Sequence, residues 1–439
     1  MNKLAILAPE VEPAVRDECF DFKEIPASSG IYGIHPYPAM FHFLVVREII
    51  NNFSKKGNLV LGPFMGSGVV AGECLIAGRD FVGYDINPLA VLISKVRTTP
   101  LPCKTLLDAL ENVSADFSRK KPSRIDFHNI DYWFEEETIK SLSRLKQAIF
   151  AVKESKIRDF FKVAFSETVR RVSNTRYNEF KLFRRTDDNH SDALKTFRET
   201  PLKNIGLLSE FYRLSSQTLV RLNLNEGNFL DGVLLDDNSV DLILTSPPYG
   251  DSRTTVAYGQ FSRLSLQWLD WEENVDRTSL GARPKDIVYD LPSKILYDFL
   301  ERSAVIDEKR AKEVFSFYQD LFAAAELAAE KVRKNGFVCF AVGNRRVKGF
   351  ELPTDKIVAD FFAHPGLRHQ KTIVRLISNK RMPAENSPLN VCGDQDSTMR
   401  YEYIVVLKKE GETKLKSQIA EQNRRKQTGE PWIKPYDNI

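Results

Sequence analysis

Two short stretches carry residues whose types and spacing could do chemistry: TSPPYG at 245–250 and GPFMGSG at 62–68, the latter followed by Asp85. Val240 to Leu244 is apolar and β-rich, as a buried strand is, yet it runs into Thr245, Ser246, two consecutive prolines and Tyr249. Neither proline has an N–H to give a ladder, so the strand must stop in a rigid corner that projects the tyrosine ring. GPFMGSG follows the strand-like run Leu59 to Leu61 and opens a helical one, a setting in which glycines let a ligand approach the backbone. By itself that turn is equally well a tight strand-to-helix connection. Asp85 shifts the balance, because it ends the next strand, where a carboxylate accepts both hydroxyls of a ribose. Turn and acid together imply an adenosine-containing ligand.

The elements that must hold these groups form a regular series. NLVLGPFMGSGVVAGECLIAGRDFVGYDINPLAVLISKV, from Asn58, reads as strand, glycine turn, helix, strand and helix. Gly78 closes the first helix, the second strand runs from Asp80 to Tyr84, and Asn87 caps the next helix with Pro88 at its first position. Strand, helix and strand at this spacing make a βαβ unit and hence a parallel sheet. Further core strands are expected at Ser239–Leu244, Gly336–Val342, Lys371–Ile377 and Glu402–Leu407, with a helix over Glu313–Lys334 that carries Phe317, Leu321, Ala325 and Ala328 at helical spacing. The expected fold is α/β, a doubly wound, mostly parallel Rossmann-like sheet.

Two stretches fit that sheet poorly. Residues 101–220 are helical in pattern and rich in Lys and Arg, as in SRKKPSR and RRVSNTRYNEFKLFRR, while 251–310 are mixed. Both read as insertions, which divides the chain into a cofactor half (20–100), a helical insertion (101–220), a catalytic half (221–250 and 311–410), a second insertion near the site (251–310) and a polar tail (411–439).

Bulk properties narrow the class. The 439 residues are 42% hydrophobic and 28% charged, enough for a sizeable core. A net charge of +4, from 63 basic and 59 acidic side chains, leaves nucleic acid open, since only a local basic face would be informative. Cys19, Cys74, Cys103, Cys339 and Cys392 are scattered without ligand spacing, as in a reduced cytosolic protein without structural zinc. MNKLAILAPEVEPAVRDE is unlike a signal peptide, and no apolar run is long enough to span a membrane.

On these residues the chain resembles the exocyclic-amino DNA methyltransferases. GPFMGSG, the acid of GYDINPLA and TSPPYG are similar to that family's cofactor and catalytic motifs. IHPYPAMF looks like its segment against the methionine end of the cofactor, and NKRMPAENSPLN like late-motif sequence of bacterial modification methylases. The likeness covers roughly residues 30–95, 220–265 and 335–408. It implies S-adenosylmethionine as cofactor, double-stranded DNA as substrate, a cognate restriction endonuclease acting separately, and a cytoplasmic, nucleoid-associated location. The cofactor contacts it implies are His35, Pro36 and Pro38, then Pro63, Phe64, Gly66, Ser67 and Gly68, then Asp85, Asn87, Asn228 and Thr245. Asn228, in NEGNFLDG, stands where relatives often have Asp; its amide oxygen can still accept from an adenine amine.

At the corner the resemblance implies a base swung out of the duplex, because an exocyclic amine is out of reach inside stacked DNA. Tyr249 would stack on it, Pro247 and Pro248 would fix the ring, and Ser246 with the Pro247 carbonyl would accept hydrogen bonds from the amine. Such acceptors matter because the amine lone pair is delocalised into the ring; hydrogen bonds that favour a pyramidal nitrogen free it for attack on the methyl group. No cysteine nucleophile is needed, and Pro102-Cys103 is a decoy for cytosine-C5 chemistry. Serine at the head of the corner resembles the cytosine-N4 branch, whereas adenine-N6 enzymes more often carry Asp or Asn there, and some serine members act on adenine.

The chain departs from the family at Gly62, where relatives read Asp-Pro-Phe, and at Val69 and Val70, which replace a hydroxyl-bearing pair. A lost charge-assisted hydrogen bond is worth on the order of 1.5 to 3 kcal/mol, so weak cofactor binding is expected, with improvement on Gly62→Asp. Competing functions are therefore adenine-N6 DNA or RNA amine methylation, and a DNA-binding relative with weakened or lost catalysis. Residues 101–220 are expected to supply much of the DNA-facing surface through Arg170, Arg171, Arg176, Lys181, Arg184 and Arg185, with Arg253 from the second insertion; a solvated helical face is the commoner fate of such charge runs. RTTVAYGQFSRLSLQW is a second candidate surface whose aromatics equally suit a core. His35 and His42 have no third ligand beside them, so no metal is expected.

Overall fold

The computed structural model describes residues 12–410 apart from 124, 178, 188–190, 216–218, 252–254, 378–384, 387–395 and 398. Along the chain lie β1 (Ala14–Arg16), α1 (Phe43–Phe53), β2 (Leu59–Gly62), α2 (Val69–Ala77), β3 (Asp80–Asp85) and α3 (Pro88–Thr98). A helical stretch follows: α4 (Cys103–Arg119), α5 (Ile130–Trp133), α6 (Glu136–Phe150), α7 (Ser155–Val172) and α8 (Ala193–Ser215). Then come β4 (Leu222–Glu226), β5 (Val240–Thr245), α9 (Tyr258–Trp268), α10 (Val275–Thr278), α11 (Lys294–Ile306), α12 (Glu308–Lys331) and β6 (Val332–Val342). A small hairpin of β7 (Arg345–Val347) and β8 (Phe350–Leu352) precedes α13 (Thr354–Ala363), β9 (Leu367–Leu376), the short pair β10 (Glu385–Asn386) and β11 (Asp396–Ser397), and β12 (Tyr401–Lys409).

Eight strands form the main sheet in the order β1-β9-β12-β6-β5-β2-β3-β4. All neighbours are parallel except β12, which runs antiparallel to both β6 and β9. The period of two along each strand sends alternate side chains to opposite faces, and both faces are buried. Val60, Leu242, Leu244, Ile404 and Val406 belong to one core cluster, with residues of α1–α4 and α6–α9. Leu61, Ile243, Val405 and Leu407 belong to the other, with α11, α12 and α13. The doubly wound α/β architecture expected from sequence is the one present, and the helices from Cys103 to Ser215 share a core with one sheet face rather than standing off it.

Chain order reverses between β2 and β5: β3 and β4 lie on one side, β6, β12, β9 and β1 on the other. Loops leaving these two adjacent strands diverge, and the crevice they leave at the carboxyl ends is where ligands bind in open α/β sheets. The loop after β2 is the glycine turn, and the loop after β5 is Ser246 to Gly250. Topology alone thus brings both sequence motifs to one crevice.

Candidate active site

Thr245 clasps the two loops together. Its hydroxyl oxygen accepts from the Phe64 amide at 3.2 Å and the hydroxyl donates to the Phe64 carbonyl at 3.1 Å, so the last residue of β5 is fastened to the first turn after β2. The glycine turn itself needs left-handed backbone at Gly66 (φ 56°) and Gly68 (φ 78°). It is supported from beneath: Ser94 donates to the Gly66 carbonyl at 3.1 Å, and the buried Arg97 guanidinium, lying 5.1 Å over the Tyr32 ring, donates to the Ser67 carbonyl. Burial pushes the Arg97 pKa down to about 10.

Asp85 closes the turn. Its two oxygens accept from the amides of Gly66 and Asn87, each at 2.8 Å, and a carboxylate with about four lone-pair sites keeps room for two ribose hydroxyls. Asn87 is a three-way node: it caps α3 by accepting from the Leu89 amide at 3.1 Å, and its side-chain nitrogen donates to Tyr37 at 3.1 Å and to Ser262 of α9 at 2.7 Å. Asn228 caps the turn after β4 by accepting from the Leu230 amide at 3.0 Å, which leaves one lone pair on its oxygen for an incoming donor.

These groups open onto one cleft of about 1000 Å³, a figure that includes its open mouth. Pro38, Phe41, Pro63, Phe64, Met65, Gly66, Ser67, Asp85, Asn87, Asn228, Ser246 and Pro248 all line it. The cofactor turn and the proline corner therefore face a common space, as the sequence motifs require. Apolar walls at Phe41, Phe64, Met65 and Phe229, a bare backbone at Gly66 and the Asp85 acceptors fit S-adenosylmethionine. When bound, it supplies a methyl group on a positively charged sulfur.

Several residues named from sequence lie away from the cleft lining. His35 and Pro36 do not line the cleft: His35 is 1% exposed behind the loop, its Nε2 bonded to Ser166 at 3.0 Å, and burial drives its pKa down to about 3, so it stays neutral. His42 caps α1, accepting from the Leu44 amide through Nδ1 and donating from Nε2 to the Ile25 carbonyl. Gly68 packs under α3 and Thr245 is the clasp; neither lines the cleft. Pro247 is buried, and Tyr249 turns its hydroxyl inward to Ser246 and Glu402. At Gly62 the side-chain space is already taken, because a Cβ there would meet the Phe81 ring at 2.8 Å. Cys103 begins α4, away from the cleft lining.

Other residues that line the cleft were missed from sequence. Val275, Asp276, Thr278, Ser279 and Leu280 line it, as does Tyr258 from the second candidate surface, with Asp276 accepting from the Gly259 amide at 3.3 Å. The mixed composition of 251–310 gives no periodic signal for such a rim. Among the described residues, no group of three or more His, Cys, Asp or Glu could hold a metal, and no helix is long and apolar enough to cross a membrane.

The basic candidates separate by burial. Arg170 is 2% exposed and structural: it donates to the Phe261 carbonyl at 2.9 Å and the Glu179 carbonyl at 3.0 Å, its guanidinium 4.2 Å over the Phe261 ring. Arg171, Arg176 and Arg185 pair with Glu199, Glu179 and Asp187. Lys181 and Arg184 are exposed on a loop pinned by the Thr175–Arg184 bridge, where Tyr177, Phe180 and Phe183 are exposed too. In α9, Phe261 and Trp268 are core, and Arg253 and most of NKRMPAENSPLN lie outside the described residues.

The fold and the cleft define an S-adenosylmethionine-dependent methyltransferase. Residues 9–96 match the family model described as DNA methylase, N6_N4_Mtase. The type II methyltransferase M.MvaI of Kocuria varians is 36% identical over 417 residues, covering 85% of this chain and 90% of its own length. M.MjaII of Methanocaldococcus jannaschii, also a type II methyltransferase, is 32% identical over 108 residues, 24% of this chain and 20% of its own. A solved methyltransferase of Methanosarcina mazei aligns over 86% of this chain and 100% of its own at 7% identity and a TM-score of 0.31. The chain belongs to the type II DNA methyltransferases.

Asp85 gives the site a pH dependence. Burial raises its carboxyl to about 6, against the Asn87 and Gly66 amides, which pull it down. The ionised form is the full acceptor, so if Asp85 holds the ribose, protonation as pH falls through about 6 would remove acceptor sites for it. Calorimetric titration should show S-adenosylmethionine affinity falling from pH 7.5 to pH 5, and Asp85→Asn should bind weakly at both. Equal affinity at both pH values in the parent would exclude the ribose role.

Proposed function

We propose that the chain transfers a methyl group to the exocyclic N4 amine of a cytosine extruded from duplex DNA, as the modification half of a cytoplasmic restriction system with a separate endonuclease. The observation that carries this is the corner: Ser246 and Pro248 line the same cleft as Gly66, Asp85 and Asn228, and serine heads the corner as in the cytosine-N4 branch. The cleft holds the base beside the cofactor, Ser246 and the Pro247 carbonyl take hydrogen bonds from its amine, and the proline pair fixes both without giving up a buried N–H. The exposed loop bearing Lys181 and Arg184 is the part of the helical stretch that meets the phosphates, and the aromatic rings beside it suit contact with DNA bases or sugars.

The test is transfer of labelled methyl groups to unmethylated bacterial genomic DNA, followed by nucleoside analysis. Label in N4-methylcytosine is expected. Label in N6-methyladenine would replace cytosine by adenine, and DNA binding without any transfer would mark a relative that has lost catalysis. In the same preparation, Lys181→Ala with Arg184→Ala should flatten the log affinity against log salt slope by about one for each phosphate that is no longer neutralised.

A further inference from the structure

The corner is wired to the far side of the sheet by a chain that neither motif contains. Ser246 Oγ lies 3.2 Å from the Tyr249 hydroxyl. The Tyr249 hydroxyl in turn donates to Oε1 of Glu402, on β12. Oε2 of Glu402 accepts from Arg375 Nη1 at 2.7 Å. Arg375, on β9, is 3% exposed and is itself held by the Phe20 carbonyl, 2.8 Å from Nε, and the Asp21 carbonyl, 3.5 Å from Nη2. Burial and the neighbouring Glu402 hold the Tyr249 phenol well above its ordinary pKa, so the proton stays on its oxygen.

Counting protons along this chain fixes its direction. A carboxylate paired with arginine has only lone pairs to offer, and a phenol has one proton. That proton is committed to Glu402, so Tyr249 meets Ser246 as an acceptor and the Ser246 hydroxyl must donate to it. With its own proton turned inward, Ser246 has its lone pairs left to offer to the cleft that the residue lines. We propose that Glu402, braced by Arg375, is a positioning residue: acting through the Tyr249 hydroxyl, it sets Ser246 as an acceptor for the target amine. Without Glu402 the phenol proton could turn toward Ser246, the serine proton could turn into the cleft, and a donor would then face a donor. This rests on the corner being where the amine is methylated.

Tyr249→Phe tests it, since the ring and its stacking face remain while the relay is cut; Glu402→Gln leaves a buried arginine without its charge partner and is the secondary variant. On unmethylated genomic DNA, Tyr249→Phe should lower kcat by about tenfold or more while the dissociation constants for S-adenosylmethionine and DNA, measured by calorimetry and anisotropy, stay within about twofold. In a Ser246→Ala background the same change should cost less than about a further twofold, because the hydroxyl it orients is gone. Additive losses would mean that Tyr249 acts on its own, and a loss confined to DNA affinity would mean that it only packs; either overturns the proposal. Neutron diffraction from the deuterated parent protein should show the Ser246 deuteron directed at the Tyr249 oxygen, and a deuteron directed into the cleft would overturn the proposal even if Tyr249→Phe impairs catalysis. A parent protein that methylates nothing would sink the catalytic role of the corner, whereas the deuteron position tests the hydroxyl direction independently.

Discussion

Replacing Gly68 by alanine is expected to lower Tm by several degrees and weaken S-adenosylmethionine binding by about tenfold or more. The residue sits at φ 78°, where a Cβ costs roughly 1 to 2 kcal/mol. The added carbon would also lie 2.5 Å from Ser94 Oγ and 2.7 Å from Ser94 Cβ, an overpacking worth about 1 to 3 kcal/mol more. Ser94 cannot simply swing away, because its hydroxyl holds the Gly66 carbonyl and the Ala90 carbonyl. Relief must come from the turn itself, and the turn carries the amide that meets Asp85. Gly206 in α8, where an added carbon meets nothing within 4 Å, is the control: alanine there should leave stability unchanged or slightly raised. Thermal unfolding and calorimetry on both variants check the contrast, and a Gly68→Ala protein as stable and as tight as its parent would show the turn to be softer than its contacts imply.

Gly62→Asp is expected to harm the protein rather than improve it. The sequence invited the opposite view, since an acid stands there in similar enzymes. In the structure the Phe81 ring occupies the space, with Cζ and Cε2 at 2.8 and 3.1 Å from where a Cβ would stand. The same ring covers Gly83, the register partner of Gly62 on β3. A carboxylate must therefore displace a fully buried ring and shed water against apolar walls, at a cost of about 1 to 3 kcal/mol for the overpacking plus the desolvation of its charge. Loss of several degrees in Tm and weaker cofactor binding are expected from the single variant. Adding Phe81→Ala should recover part of the cofactor affinity by reopening the space. Tighter binding by Gly62→Asp alone, at unchanged Tm, would show that the ring yields without cost.

What was legible in the sequence followed the strength of the local signal. The strand, turn, helix, strand series from Leu59 onward combines a buried apolar run, glycines at two left-handed positions, a glycine stop at Gly78 and an Asn-Pro helix start, and the elements formed within a residue or so of their expected bounds. β4 was not foreseen because LNLNE alternates at the sheet edge with no fully buried residue. β1 is too short and exposed to announce itself. Of the residues named in contiguous motifs, Gly66, Ser67, Asp85, Asn228 and Ser246 line the cleft while His35, Gly68 and Thr245 do not, and Asp276 and Leu280 reach it only through tertiary packing. Glu402 and Arg375 were hidden for a related reason: each sits in an ordinary β-rich run, and only the antiparallel pairing of Glu402 with Arg375 across β12 and β9 brings them under Tyr249. Basic residues misled most, because a run of arginines says nothing about which guanidinium turns inward, as Arg170 does.

The edge strand β1 has a consequence in time. Ala14 pairs with Thr372, Arg16 and the Leu376 amide both reach Asp21, and the Phe20 carbonyl grips Arg375. The β1 segment must therefore wait for β9, which follows it by 358 residues (Ala14 to Thr372), before that edge of the sheet can zip shut, roughly twenty to seventy seconds at about 5–20 residues per second. A nascent or truncated polypeptide lacking β12 has the glycine turn but no Glu402 beneath the tyrosine. Under the positioning role proposed for Glu402, vectorial synthesis delivers the glycine turn and Asp85 early and the groups that orient Ser246 late.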